Sequence, residues 1–233
     1  MKLNGIIGKG TGKLGSSVFA ISGGVQIMRE YNPVVSNPNT EAQIAQRAKL
    51  KLMSQLGAAL APALGFAKKG LVSARNQFVS KNIGLATYED SSAGVTLSEL
   101  QLTPSNAAFP SLIDPTLEGG VMSVALSAAA PASVKRVVYA VYRVNTNEEV
   151  EYIASKVVSE AGVNSTFPTT FNNISGMIVV YAYGVKDNTT AATIKYENMV
   201  ADGATDEASV AIIELFRTAG YDLTKTVGIT TSF

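Results

Sequence analysis

The apolar residues of this 233-residue chain change their spacing twice, near residue 40 and again near residue 94. Before the first change they come in short runs, Ser17-Val18-Phe19-Ala20-Ile21 and Val25-Gln26-Ile27-Met28, set among Gly5, Gly8, Gly10, Gly12, Gly15, Gly23 and Gly24. This pattern predicts an extended arm with one or two short strands and a turn at Gly23-Gly24. Each glycine loses backbone entropy on ordering. Such an arm is expected to order under cover, either from its own domain or from a neighbouring subunit. Asn32-Pro33 and Asn37-Pro38 then bracket a rigid, extended connector.

Thr40-Glu41-Ala42-Gln43 has the form of a capping box, in which hydroxyl and amide satisfy each other's backbone partners. The helix it opens carries Ile44, Ala48, Leu52, Leu56 and Leu60 at four-residue spacing, which predicts one apolar stripe. Arg47 and Lys51 are expected on another face with Lys49 beside them. Gly57 weakens the helix and Pro62 ends or kinks it. A second helical stretch is expected from about Phe66 to Asn82, with Gly84 as its C-cap.

From Gly94 the period shortens, beginning at Val95, Leu97, Leu100 and Leu102. Strands are predicted over 121–127, 134–144, 150–157, 176–186 and 192–199, separated by turns at Glu118-Gly119-Gly120, Asn145-Thr146-Asn147, Ala161-Gly162 and Lys186-Asp187-Asn188. Asp206 opens either a helix closed by Gly220, with Val210, Ile213 and Phe216 buried, or a short strand. The uncharged stretch from Thr226 to Phe233 is β-prone and is expected to pair with a sheet, its own or, slightly preferred, a neighbour's.

The expected fold is therefore α+β and mainly β. Residues 1–39 form a basic glycine-rich arm, and 40–90 a basic helical segment. Residues 91–200 form an immunoglobulin-like antiparallel β-sandwich, without the Cys and Trp of antibody domains. Residues 201–233 form a C-terminal helix or strand and a β-prone tail.

Charge divides the same chain. Met1–Tyr88 holds eleven Lys and Arg against two acids, a balance of +9, and Glu89–Phe233 holds eight against sixteen, a balance of −8, giving the net +1. The two halves are thus expected to meet different surroundings. Only 16% of residues are charged, below the usual value of about 25%. That scarcity fits either a surface partly covered by neighbours or a compact domain with a polar, uncharged surface.

The chain has no Cys and no His. Disulfides, thiolate chemistry, His-based triads and His or Cys zinc sites are excluded. No catalytic, cofactor-binding or metal-binding residue is assigned. Gly10-x-Gly12-x-x-Gly15 matches the dinucleotide string, but β-like residues follow it instead of a helix whose N-terminus binds pyrophosphate. Leu14 occupies the Ser/Thr position of a P-loop, which rejects that reading. Glu148, Glu149 and Glu151 read as a solvated hairpin end, as do the loop residues Asp187, Asp202 and Asp206.

The seven cations Arg47, Lys49, Lys51, Lys68, Lys69, Arg75 and Lys81 are the candidate contact residues. Three readings stay open: contact with nucleic-acid phosphates, pairing with the acidic domain of a neighbouring copy, and a solvated helix face. No secretory signal or membrane span is expected.

The segment Gly8-Lys9-Gly10-Thr11-Gly12-Lys13-Leu14-Gly15-Ser16, then Gly23 to Arg29, then Asn37-Pro38-Asn39-Thr40-Glu41-Ala42-Gln43 with Gln46-Arg47-Ala48-Lys49, resembles the N-terminal region of small uncharacterised proteins of gut Bacteroidota and their phages. The likeness covers about the first 50 residues. It implies a virion structural protein or a phage-encoded relative and carries no catalytic residue. The expected function is a non-enzymatic structural and assembly protein of a bacteriophage virion, in the capsid, an auxiliary capsid layer or the collar. It would be built in the host cytoplasm, and its partners would be its own copies, other virion proteins or DNA. The alternatives are a surface or carbohydrate-binding β module and a DNA-packaging protein.

Overall fold

Two strands of almost unbroken apolar sequence, β8 (Val134–Val144) and β11 (Met177–Lys186), organise the fold. Runs of this kind belong to strands covered on both faces, where the usual alternation of apolar and polar residues disappears. The chain is described here from a computed structural model covering residues 11–22, 24–33, 39–159, 164–167, 176–186, 206–219 and 221–232. It divides into two compact units, Met1–Gln43 and Ile44–Phe233.

The first unit contains β1 (Gly12–Leu14), β2 (Ser17–Ser22) and β3 (Val25–Glu30), in a three-stranded antiparallel sheet of order β1-β2-β3. The predicted turn lies where expected, since Ser22 pairs with Val25 across Gly23-Gly24 and Gly24 has φ +80. The arm is therefore a β-meander with one strand more than the sequence suggests. Its glycine string forms β1 and the β1–β2 turn, where Gly15 has φ +58.

In the second unit β8 and β11 lie at the centre of a four-stranded antiparallel sheet of order β12-β11-β8-β9, with β9 spanning Val150–Ser159 and β12 Val227–Ser232. A two-stranded hairpin is formed by β4 (Thr87–Glu89) and β5 (Ser92–Gly94). A three-stranded sheet of order β10-β7-β6 comprises β6 (Thr116–Glu118), β7 (Val121–Ala125) and β10 (Asn164–Phe167). Val134, Val137, Tyr139 and Val141 of β8, with Ile178, Val180 and Ala182 of β11, pack against Met122 and Val124 of β7. The opposite face of the large sheet meets helices. Tyr142, Val179 and Tyr181 pack with Met53, Leu56 and Leu60 of α1 (Glu41–Ala59) and Phe78 of α2 (Ala74–Asn82). Val138, Tyr183 and Val185 pack with Ile212, Ile213 and Phe216 of α3 (Asp206–Ala219). The fold is mainly β, and its central sheet lies between a second sheet and a helical layer.

Several local expectations change. The apolar stripe of α1 does not run the whole helix: Ile44 is 43% exposed, while Met53, Leu56 and Leu60 are buried. Four residues advance a helix by about 400°, so a strict four-residue series drifts about 40° per step and leaves any one face. The second helix starts at Ala74 and not near Phe66, capped by Ser73, whose hydroxyl accepts from the Asn76 amide at 3.2 Å. Residues 64–73 are irregular, apart from the Lys69–Val72 bridge. Gly84 is absent from the positive-φ glycines and lies in a 3-10 turn, Ile83–Leu85. Gly57, which lowers helix propensity, admits the Phe78 ring: a Cβ there would sit 2.9 Å from Phe78 Cδ1. Leu97–Glu99 form a 3-10 turn where a strand was expected to begin. Asp206–Ala219 is a helix, which decides between the two readings of that segment. The tail pairs with β11 of its own chain, Ile229 opposite Val180 and Val227 opposite Ala182, instead of the preferred neighbour. The strand predicted over 192–199 and the loop residues Asp187 and Asp202 lie outside the described residues.

Candidate interaction surfaces

The seven candidate cations fall into separate surroundings. Arg47 and Lys51 are exposed on α1, one turn apart, on the side away from Met53 and Leu56. Lys49 does not join them; it stands one turn before Met53 and is half-buried. Lys69 is exposed in the Lys69–Val72 bridge, beside Leu71 at 76% exposure. Lys81 lies near the end of α2, donating to Asn106 Oδ1 at 2.8 Å, in a shallow depression of about 600 Å³ shared with Lys225, Glu99 and Gln101.

Lys68 and Arg75 line a groove of about 740 Å³ together with Arg217 of α3, a cation the charge pattern of the first 88 residues does not include. Small residues, Gly57, Ala58 and Ala61, are among its lining. Arg75 donates to Ser54 Oγ at 2.7 Å, a neutral partner that leaves its charge uncompensated. Arg217 is paired with Glu214 one turn away on α3. Three cations and one carboxylate thus border the groove.

The acidic hairpin end is built by Asn145. Its Oδ1 accepts from the amides of Asn147 and Glu149, each at 2.9 Å, and its Nδ2 donates to Glu151 Oε1 at 3.0 Å. Glu148 is held at φ +61, in the left-handed region. Glu151 accepts from Arg143 at 2.5 Å, and that guanidinium, with Asn145, holds its carboxyl below the ordinary glutamate value. Glu148 and Glu149 remain exposed. Among the described residues no group of three or more acids is arranged to hold a metal ion, and no helix is long and apolar enough to cross a membrane.

The meander of the first unit is the third surface. Cross-strand partners share a face, so Leu14, Phe19, Ile21 and Met28 lie on one side and Val18, Ala20, Val25 and Ile27 on the other. Exposed aliphatics occur on both: Leu14 72% and Ile21 43% on the first, Val25 37% and Ile27 41% on the second. On the second side the Lys13 ammonium lies 3.7 Å from the Tyr31 ring centroid.

Sequence reasoning placed tyrosines in strands but missed their role. Tyr142 donates to the Leu60 carbonyl at 3.2 Å, Tyr183 to Ala63 at 3.1 Å and Tyr181 to Leu97 at 2.7 Å. Leu60 directly follows α1, and its carbonyl accepts both from the Tyr142 hydroxyl and from the Ala63 amide at 3.1 Å. Burial pushes the Tyr142 and Tyr181 hydroxyls well above their ordinary range and Tyr139 up to about 12, so all three stay protonated. The signal was the i, i+2 spacing of Tyr181 and Tyr183, which puts both on the helix-facing side. These residues hold the scaffold under the groove and offer no open chemistry.

No protein-family model matches the chain, and a search of curated proteins finds no match.

Proposed function

We propose that this is a non-enzymatic structural protein of a bacteriophage virion, a capsid, auxiliary capsid or collar component that joins its own copies or other virion proteins. The observation that carries this reading is the β-meander of residues 12–30, with exposed aliphatic side chains on both faces. A sheet this small needs a covered apolar face to be stable, and contiguous exposed apolar surface marks interaction sites. A meander apolar on both sides calls for cover on both, which subunits packed in a shell or ring supply. The low charge content of 16% supports the same reading, because covered surface needs no charge to stay solvated. The resemblance of the first 50 or so residues to phage-associated proteins is what supports reading the assembly as part of a virion, formed in the host cytoplasm.

The two sheets of the second unit are read as an immunoglobulin-like sandwich. The supporting feature is strand order: in chain order from β6 the seven strands divide as first-second-fifth and third-fourth-sixth-seventh. Sandwiches of this class divide seven strands between two such sheets, with strands switching sheet between neighbours. The helical layer is then an addition on the outer face of the larger sheet.

Deleting Met1–Glu30 tests the assembly reading. The remaining chain keeps all three cores and should stay folded and soluble by circular dichroism. Sedimentation should show that it no longer forms the large assemblies of the full chain. A truncated protein that still assembles to full size, or a full chain that stays monomeric and never sediments with particles, defeats the proposal.

A further inference from the structure

We propose that the groove bordered by Lys68, Arg75 and Arg217 receives the Asn145–Glu149 hairpin tip of a second copy of this chain. This head-to-tail contact rests on the assembly reading and names the partner of one of its surfaces.

Charge complementarity selects the occupant. Among the described residues the groove presents three cations against one carboxylate, that of Glu214, and of those cations Arg217 is paired with it. Lys68 and Arg75 therefore face the groove with charge to spare. The tip presents Glu148 and Glu149, exposed, the latter accepting only a neutral donor, Asn145 Nδ2 at 3.3 Å, while the third acid, Glu151, is engaged by Arg143. Size agrees as well. About 740 Å³ lies within the ~300–1,000 Å³ typical of ligand pockets and accommodates a few residues of chain. The small lining residues Gly57, Ala58 and Ala61 let a peptide backbone approach closely.

The tip is also prepared for docking. Asn145 fixes both of its amides, and Glu148 is already in the left-handed conformation of a tight turn. A loop ordered in advance loses less entropy on binding.

Within one copy the tip does not enter the groove, since tip residues are not among those lining it. Two different surfaces meeting between copies make a heterologous contact, which closes into a ring or propagates as a filament.

The test uses full-length protein in two variants, Lys68→Glu with Arg75→Glu in the groove, and Glu148→Lys with Glu149→Lys at the tip. The tip positions are exposed and unburdened by packing, so that variant should fold normally. Each variant alone should self-associate about tenfold or more weakly in sedimentation at low salt, as expected for loss of close interfacial charge pairs. Mixed one to one, the groove variant still has a tip and the tip variant still has a groove. The mixture should recover association as an alternating assembly of the two variants, because the reversed tip also fits the reversed groove, and for the same reason combining all four changes in one chain should restore self-association. Self-association unchanged in both variants overturns the contact while leaving an arm-driven assembly standing. Loss in the groove variant alone, together with loss of its retention on duplex DNA, assigns the groove to phosphates and overturns it too. A wild-type chain that is monomeric throughout overturns both this contact and the assembly reading.

Discussion

Removing single tyrosine hydroxyls tests whether the helical layer is anchored to the central sheet by directed bonds or by contact alone. Tyr142 and Tyr183 donate to Leu60 and Ala63, both just past the end of α1, and Tyr181 donates to Leu97. Tyr142 and Tyr183 bonds are buried, and rings of Tyr142 and Tyr181 meet edge to face at 5.9 Å. A Tyr→Phe change keeps the ring and its packing and deletes only the donor. The Leu60 and Leu97 carbonyls keep a second donor, the Ala63 and Leu100 amides at 3.1 Å, so Y142F and Y181F should each cost about 0.5–1.5 kcal/mol, whereas Y183F takes from the Ala63 carbonyl its buried tyrosine donor, a loss of roughly 1–3 kcal/mol. In a chain of this size each kcal/mol lowers Tm by about 2–4 °C. Urea unfolding of Y142F, Y181F and Y183F should show reduced midpoints at an unchanged slope, because the surface exposed on unfolding is the same. Tyr142 and Tyr183 hold carbonyls three residues apart in one turn. Once either is lost the turn loosens, so the double variant should cost less than the two singles together, by about 0.5 kcal/mol or more. Single losses below about 0.5 kcal/mol, or strict additivity, would refute the anchoring role.

Two further outcomes follow from the charged residues. Changing Arg47 and Lys51 to Gln should weaken retention on duplex DNA if α1 meets phosphates, with the log–log salt slope falling by up to about two units, while Lys49→Gln adds little because that residue is half-buried; equal effects at all three positions would contradict the helix orientation. Glu151 is held below the ordinary glutamate value of 4.5 by Arg143 and Asn145. A depressed carboxyl adds stability that is present above the unfolded value and lost as pH falls through the folded one. Stability of the parent should thus decline more steeply than that of Glu151→Gln below pH 4.5, and a Glu151 carboxyl found by NMR to titrate at or above that value would contradict the pairing.

The centre of the fold was the legible part. Val134–Val144 is a strand to the residue, and the 150, 176 and 206 segments begin within one residue of expectation, because long apolar runs and a helix-opening Asp-Glu are local signals. The layer order was not legible. Whether Tyr142 or Tyr183 faces a second sheet, a helix or water depends on contacts more than 80 residues away, and nothing local encodes them. The groove was half visible: Lys68 and Arg75 were among the candidate cations, but Arg217 lies in the acidic half, so a count by sequence halves separated residues that α3 brings together. The same distance problem explains Lys49, grouped with Arg47 and Lys51 by proximity in the chain and divided from them by helical phase.

The meander is where local and global signals disagree, and that disagreement carries functional meaning. Natural sequences are usually consistent across levels, with exceptions concentrated at functional positions. The rest of the described chain obeys the rule: β8 and β11 are apolar on both faces and covered on both, and the tail strand Val227–Ser232 is nearly uncharged and paired. The strands of residues 12–30 have the same two-sided apolar pattern, with register fixed by a proper hairpin at Gly23-Gly24, and yet Leu14, Ile21, Val25 and Ile27 stay exposed. A pattern that elsewhere in this chain means burial on two sides should mean the same here. On the assembly reading proposed above, that cover comes from other molecules, and the residues that specify the strands are then the ones that specify the contact.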